Sequence, residues 1–202
     1  EKEVHFVGAT ASVFDKAGHS FERFDFPADL GEETHAELER VSRAMIARLG
    51  YDHGCFNVEF FVTGDGHVIP IEFNTRLAFQ FVPLFAARYT NNYFVEACRL
   101  ALGKRPCLDP IPSPRMASSR VLRVYEDRAV ISVPSEEELR HLTDEGLALS
   151  IRVLVRPGTR LSDYKQDAYS FRYAIVNVEY AEEAEREEKI KQIKEKLKFV
   201  LR

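Results

Sequence analysis

Apolar residues recur along this chain at two periods, near two where strands are expected and at three or four where helices are. The densest stretch is Asn57-Val58-Glu59-Phe60-Phe61-Val62, then Thr63-Gly64-Asp65-Gly66, then His67-Val68-Ile69-Pro70-Ile71-Glu72-Phe73-Asn74-Thr75-Arg76. Two apolar runs around an Asp-Gly pair predict a β-hairpin. With Asp65-Gly66 as a two-residue loop, Val62 faces Ile69, Phe60 faces Ile71 and Val58 faces Phe73, which makes one apolar face. On the other face Glu59 lies opposite Glu72, and Asn57 lies opposite Asn74.

The remaining pattern divides the chain into short elements. Glu3 to Val13 reads as a strand, Lys16-Ala17-Gly18-His19 as a turn, and Ser20 to Phe26 as the partner strand ended by Pro27. Leu38, Val41, Met45 and Leu49 predict a helix over Glu32 to Leu49 with Gly50 as its stop. Glu33, Glu37, Glu39, Arg40 and Arg43 form its solvated side, and Tyr51 to Gly54 reads as a turn. A second helix is expected over Asn91 to Leu102, burying Phe94, Ala97, Cys98 and Ala101, with Gly103 after it. Pro106, Pro110, Pro112 and Pro114 make the following crossing stiff and poor in donors. It sets the expected division: 1–103, a linker over 104–117, and an αβ subdomain over 118–202. In the last part a hairpin is expected around Asp127-Arg128, from Arg120–Tyr125 and Ala129–Val133. Ser135 and Glu138 make a capping box for a helix to Asp144. Strands follow over Leu147–Val155 and Ala168–Tyr180, and a helix from Glu182 carries Ile190, Ile193, Leu197 and Val200 on its stripe. The class is α+β, an antiparallel sheet with flanking helices.

Composition narrows the function. At 202 residues, 45% apolar and 30% charged, the chain reads as an ordinary globular protein of one large or two small domains. No apolar run approaches the ~20 residues of a membrane span, and a net charge of −4 offers no basic field to nucleic acid. The chain opens Glu1-Lys2-Glu3, without Met or a signal-peptide pattern, so a piece of a longer protein is expected. Cys55, Cys98 and Cys107 have neither paired nor zinc-like spacing and read as buried, reduced thiols of a cytoplasmic protein.

The opposed acids are where the chemistry is expected. Directly facing residues in an antiparallel pair sit roughly 4.5–5.5 Å apart at Cβ, and like charges there repel. With so many apolar neighbours the pair is expected to be partly covered, and to need a shared proton or a cation. Two carboxylates and the amide oxygen of Asn74 form a hard oxygen set suited to Mg²⁺ or Mn²⁺. Arg76, two residues on, has the planar fork that grips phosphate or carboxylate.

Glu59, a short hairpin, and then Ile71-Glu72-Phe73-Asn74-Thr75-Arg76 resemble the end of the nucleotide-binding fold of ATP-grasp ligases. That superfamily includes biotin carboxylase, carbamoyl phosphate synthetase, D-alanine–D-alanine ligase and L-amino-acid ligases. The resemblance implies the C-terminal part of an ATP-grasp fold, followed by a small αβ subdomain like the C-terminal domain of biotin carboxylase. It implies ATP and Mg²⁺ (or Mn²⁺) as cofactors, with Glu59, Glu72 and Asn74 as metal ligands and Arg76 as both a catalytic and a nucleotide-contacting residue. The reaction implied is ATP-dependent joining of a small-molecule carboxylate to an amine or thiol through an acyl phosphate. A homodimer is one assembly the resemblance allows. The family's glycine-rich loop, its two ATP-contacting lysines and its adenine hinge have no match here, so this chain alone is expected to bind Mg–ATP weakly or not at all and to be inactive.

Where biotin carboxylases carry a bicarbonate-handling glutamate, this sequence has Gln80, between Ala78 and Phe81. That departure disfavours a carboxylase and points to an apolar pocket for an organic acid, with Phe79, Phe81 and Phe85 reading equally as plain core. The non-enzymatic alternative is an αβ interaction module.

Overall fold

The computed structural model describes residues 3–112, 114–166 and 169–202. In chain order its elements are β1 (Ala11–Phe14), β2 (Phe21–Phe26), α1 (Glu32–Leu49), β3 (Asn57–Val62), β4 (Val68–Asn74), α2 (Val82–Phe85), α3 (Tyr93–Ala101), β5 (Met116–Val124), β6 (Val130–Ser132), α4 (Glu136–Asp144), β7 (Ser150–Val153), β8 (Phe171–Tyr180), α5 (Glu183–Lys196) and β9 (Val200–Leu201). This is the expected mixed class, an antiparallel sheet with helices against it.

One five-stranded sheet, in the order β1-β2-β5-β8-β7, organises the molecule. It joins strands from both sides of the 104–117 crossing, so that segment separates sequence but not sheet. Hydrogen bonding fills β5 on both edges, with β2 on one side and β8 on the other. The two faces of the sheet have different work. Leu122, Ala174, Val176, Val178 and Tyr180 pack on Ile190 and Ile193 of α5, on Leu197 just after it and on Leu142 of α4. Each buried Val, Leu or Ile side chain among them contributes roughly 1.5–3 kcal/mol. The opposite face carries Phe26 and Ala117 against Leu84, Phe85 and Ala87.

Several expectations are corrected. Of Glu3–Val13 only Ala11–Phe14 is strand. The preceding backbone finds single partners instead of a ladder, Val4 O accepting from Arg43 and Val7 O from Tyr89. β5 begins at Met116, inside the expected linker, and does not form a hairpin with the next strand. Asp127 instead accepts from Arg160 Nε and from Ser162 N and Oγ, and β6 pairs with β9 at the chain end. Val200 therefore lies in a strand and not on the last helix. β7 is shorter than expected, Ser150–Val153, and the described part of the long strand is Phe171–Tyr180, Ala168 lying outside the described residues.

Two helices turn a different face inward. α1 has the expected bounds and ends on left-handed Gly50, but it buries Leu38, Ser42 and Ile46 and leaves Leu49 exposed. Ser42 is tolerated there because its hydroxyl donates to Leu38 O at 2.7 Å. α3 is capped by Asn92, whose side chain accepts from Phe94 N and Val95 N, and it buries Glu96 in place of Phe94 and Cys98; Cys107 is exposed as well and Cys55 only half-buried, against the expected burial of all three thiols. Glu96 is satisfied by Cys107 N at 2.7 Å and Arg99 Nε at 3.2 Å.

Candidate active site

The β3–β4 hairpin forms a two-stranded sheet of its own. Val62 pairs with Val68, which leaves the five residues Thr63 to His67 in the loop where two were expected. Thr63 N donates to His67 O and Gly66 N to Thr63 O, closing that larger turn. Phe60 accordingly faces Pro70, not Ile71, and Val62 faces Val68, not Ile69. A bulge between Glu59 and Phe60, with Ile71 as the extra residue on β4, then restores the expected pairing beyond it. Val58 faces Phe73, Glu59 faces Glu72 and Asn57 faces Asn74. Alternation puts Asn57, Glu59, Glu72 and Asn74 on one face. The other face is packed: Phe73 stacks on Phe56 at 5.6 Å and meets Tyr51 edge-on at 6.1 Å. Gly54 permits that arrangement, because a Cβ there would lie 1.9 Å from the Tyr51 hydroxyl, which donates to Cys55 O.

Both glutamates are exposed, contrary to the expected partial cover, because among the described residues no third strand lies against the hairpin. Phe61, Ile69 and Ile71 are exposed for the same reason. Among the described residues neither Glu59 nor Glu72 has a hydrogen-bond or ion-pair partner. The buried Nδ2 of Asn74 is likewise without a partner. Asn57 is already engaged: its Nδ2 donates to Arg76 O at 2.9 Å and ties the chain after β4 back onto β3. The Arg76 guanidinium has one long bond, 3.4 Å to Leu77 O, and no carboxylate partner among the described residues. Two facing carboxylates, an amide left over and an open guanidinium form an all-oxygen donor set beside an anion-binding group. A hard divalent cation with phosphate fits that set.

A cavity of about 1440 Å³ opens between the hairpin, α1, the segment before β1 and residues 76–85. Asn57, Glu59 and Arg76 line it, whereas Glu72 and Asn74 do not, so the acidic pair stands at its rim. Leu77, Ala78, Phe79 and Phe81 supply apolar wall. The pocket and core readings of this stretch both hold in part: Phe79 is exposed to the cavity, while Phe85 is buried against Phe26 and Tyr93. Burial pushes the Tyr93 phenol up to about 12 and raises the Cys55 thiol, so both stay neutral. Gln80 Nε2 donates to Ser119 Oγ at 3.1 Å and acts as an anchor to the sheet. Arg152 of β7 also reaches this cavity and carried no signal in the sequence, since only the sheet order brings β7 there.

No family model matches the sequence, and no curated protein matches it. Solved structures do share its fold. Phosphoribosylglycinamide synthetase from Anaerococcus prevotii superposes with a TM-score of 0.71 over 96% of this chain and 48% of its own, at 11% identity. L-amino acid ligase from Bacillus licheniformis gives 0.65 over 90% of this chain and 44% of its own, at 16% identity. The chain has part of the ATP-grasp fold. The biotin carboxylase domain dimer of 2-oxoglutarate carboxylase from Hydrogenobacter thermophilus, solved with MgADP and bicarbonate, is a further ATP-grasp neighbour. Its TM-score is 0.65 over 96% of this chain and 42% of its own, at 13% identity. The chain spans about half the length of these ATP-grasp neighbours. Among the described residues no helix is long and apolar enough to cross a membrane.

Proposed function

We propose that this chain supplies the metal–ATP ligands of an ATP-dependent ligase that activates a small organic acid and passes its acyl group to an amine or thiol. The observation that carries the reading is the facing pair Glu59 and Glu72, without a cation partner among the described residues, beside Asn74 with its buried Nδ2 unpaired. In this reading Glu72 would be shared by two Mg²⁺ ions, with Glu59 a ligand of one and Asn74 of the other, and the ions would supply neutralisation of phosphate charge during phosphoryl transfer. The chain's own residues position and hold charge. Arg76 grips the transferred phosphoryl group with its fork. Asn57 keeps Arg76 in place through its backbone oxygen, and Leu77, Ala78 and Phe79 keep water from the acid's body. A carboxylate oxygen attacks the γ-phosphorus while the bond to the ADP oxygen breaks. The amine then attacks the acyl carbon, phosphate leaves and the amine proton passes to solvent.

The test is ADP release by the whole protein, expected only when Mg²⁺ and an organic acid are both present. Release that ignores the acid would sink the reading. These 202 residues by themselves are expected to bind Mg–ATP weakly, and micromolar affinity by isothermal titration contradicts that. Gln80 argues against carboxylase or carbamoyl-phosphate chemistry, because its amide is committed to Ser119. A second reading, a non-catalytic assembly module, is favoured by Phe61 and Ile71 at 66% and 59% exposure. It predicts that Glu72→Ala leaves every function of the protein unchanged. The proposed setting is cytoplasmic, with monomer and homodimer both compatible.

A further inference from the structure

A second guanidinium faces the same cavity from an element that has no part in the acidic pair. Arg152 lies on β7, the edge strand of the five-stranded sheet, and alternation puts it on the same face as Ser150. Across that face runs a polar row. Ser119 pairs with Asn177, and Asn177 pairs with Ser150. Asn177 Nδ2 donates to Ser150 Oγ at 2.8 Å, and Gln80 Nε2 donates to Ser119 Oγ at 3.1 Å. Ser119 and Asn177 are buried, so the row is a fixed base on which Gln80 seats the short turn Phe79–Phe81. That seating brings the Phe79 ring to Arg152, with Cζ 6.0 Å from the ring centroid.

This distance is the outer limit of a cation–π contact, so the ring orients the guanidinium more than it neutralises it. A guanidinium beside a ring keeps its in-plane N–H fork open for an anion. Among the described residues Arg152 has no carboxylate partner. Arg76 stands three residues before Phe79, so their Cα atoms are at most about 10 Å apart along the chain. Between the two cations the wall is Leu77, Ala78 and Phe79, all apolar.

We propose that the acid taken by this site is a dicarboxylate with an apolar body, whose second carboxylate is held by Arg152. This rests on the ligase reading for the fate of the first carboxylate, which lies beside Glu59, Glu72 and Arg76. The apolar body lies along Leu77 to Phe79. Gln80 is a positioning residue, setting Phe79 and through it Arg152.

The test compares two probes by isothermal titration against the whole protein: benzylsuccinate, a dianion, and 4-phenylbutyrate, a monoanion of similar body. The dianion is expected to bind at least tenfold tighter. Arg152→Met is expected to abolish that ratio while leaving 4-phenylbutyrate unchanged, and Arg152→Lys to restore part of it. Equal affinities in the unaltered protein, no binding of benzylsuccinate, or a ratio that survives Arg152→Met would each overturn the proposal. Acid-stimulated ADP release is read separately. A binding ratio without ADP release removes the ligase reading and keeps the dianion site, whereas ADP release without the ratio removes the dianion site alone.

Discussion

Two places in this fold crowd charged side chains together, and they are resolved in opposite ways. On the α5 face of the large sheet, Asp25 accepts from Arg23 Nε at 2.8 Å and from Ser118 Oγ at 2.6 Å, with Arg186 Nη1 at 3.6 Å. Arg186, itself buried, lies over the Tyr180 ring at 5.3 Å. Every charge there is answered from within the protein. At the hairpin, Glu59 and Glu72 face each other with no answer at all among the described residues. Like charges directly opposite each other destabilise a strand pair unless something compensates them. The Asp25 cluster is satisfied within the sheet, and under the proposed function the glutamate pair is compensated by a bound cation.

The comparison breaks most directly at Asp25. Asp25→Ala takes away the sheet acid beside Arg186, which keeps Glu187 at 3.1 Å and Glu183 at 3.5 Å, and unpairs Arg23 and Ser118, so it is expected to cost about 1–3 kcal/mol, measured by urea unfolding. The double change Asp25→Leu with Arg186→Met should recover most of that, since a well-packed apolar pair replaces a buried ion pair at little loss. A loss under 1 kcal/mol for Asp25→Ala would mean that the cluster is no more structural than the hairpin.

At the hairpin the effect should fall on turnover and spare stability. Glu72→Ala is expected to lower ADP release by the whole protein roughly 100-fold or more, the scale of removing one group that stabilises transition-state charge. Its unfolding midpoint should stay at or above that of the unaltered chain. Activity and midpoint falling together would place Glu72 with Asp25, as a fold residue.

The elements that could be read from sequence are those whose signals are local. α1 runs from Glu32 to Leu49 because Pro27 and Gly50 bracket it, and α4 starts at a complete Ser135–Glu138 capping box. Pairings between distant strands leave no such mark, which is why the sheet spanning the proline-rich crossing and the β6–β9 pair were not anticipated. Helix faces failed where two stripes competed: Leu38-Val41-Met45-Leu49 is spaced three, four and four, Leu38-Ser42-Ile46 four and four, and packing chose the second. The register of the glutamates was legible for a subtler reason. A loop longer than expected shifts the tip of the hairpin by one residue, and the bulge at Ile71 shifts it back before Glu59. Periodicity was right at the site and wrong at the turn.

Among the internally satisfied acids, Glu138 is a milder case than Asp25. Hydrogen bonds from Ser135 N and Oγ hold its carboxyl below the usual range, and Glu138 N donates to Ser135 Oγ in return. Ser135→Ala should cost about 1 kcal/mol in the same unfolding measurement. Because the Glu138 carboxyl titrates lower in the folded state, its contribution is present above the unfolded carboxyl range and is lost as pH falls through the folded value. The difference between the unaltered chain and Ser135→Ala should therefore shrink in acid. A difference that stays constant down to pH 3 would remove the carboxylate from the cap.

The smallest expected effect bears most closely on the open pair. Glu59→Gln or Glu72→Gln removes one of two facing charges and keeps the shape of the side chain. Relief of that repulsion should stabilise the metal-free protein by about 0.2–1 kcal/mol. The cycle adds a sharper condition. Once either glutamate is neutral the repulsion is gone, so the second substitution should add nothing, and the two gains should fail to sum. Measured in EDTA, Glu59→Gln, Glu72→Gln and the double variant should therefore share nearly one unfolding midpoint above that of the unaltered chain. Adding Mg²⁺ should raise the unaltered chain toward them and leave the double variant unmoved, since only the facing carboxylates attract the ion. Gains that add independently would mean that the two charges do not sense each other across the hairpin, and the contrast with Asp25 would then rest on the register alone.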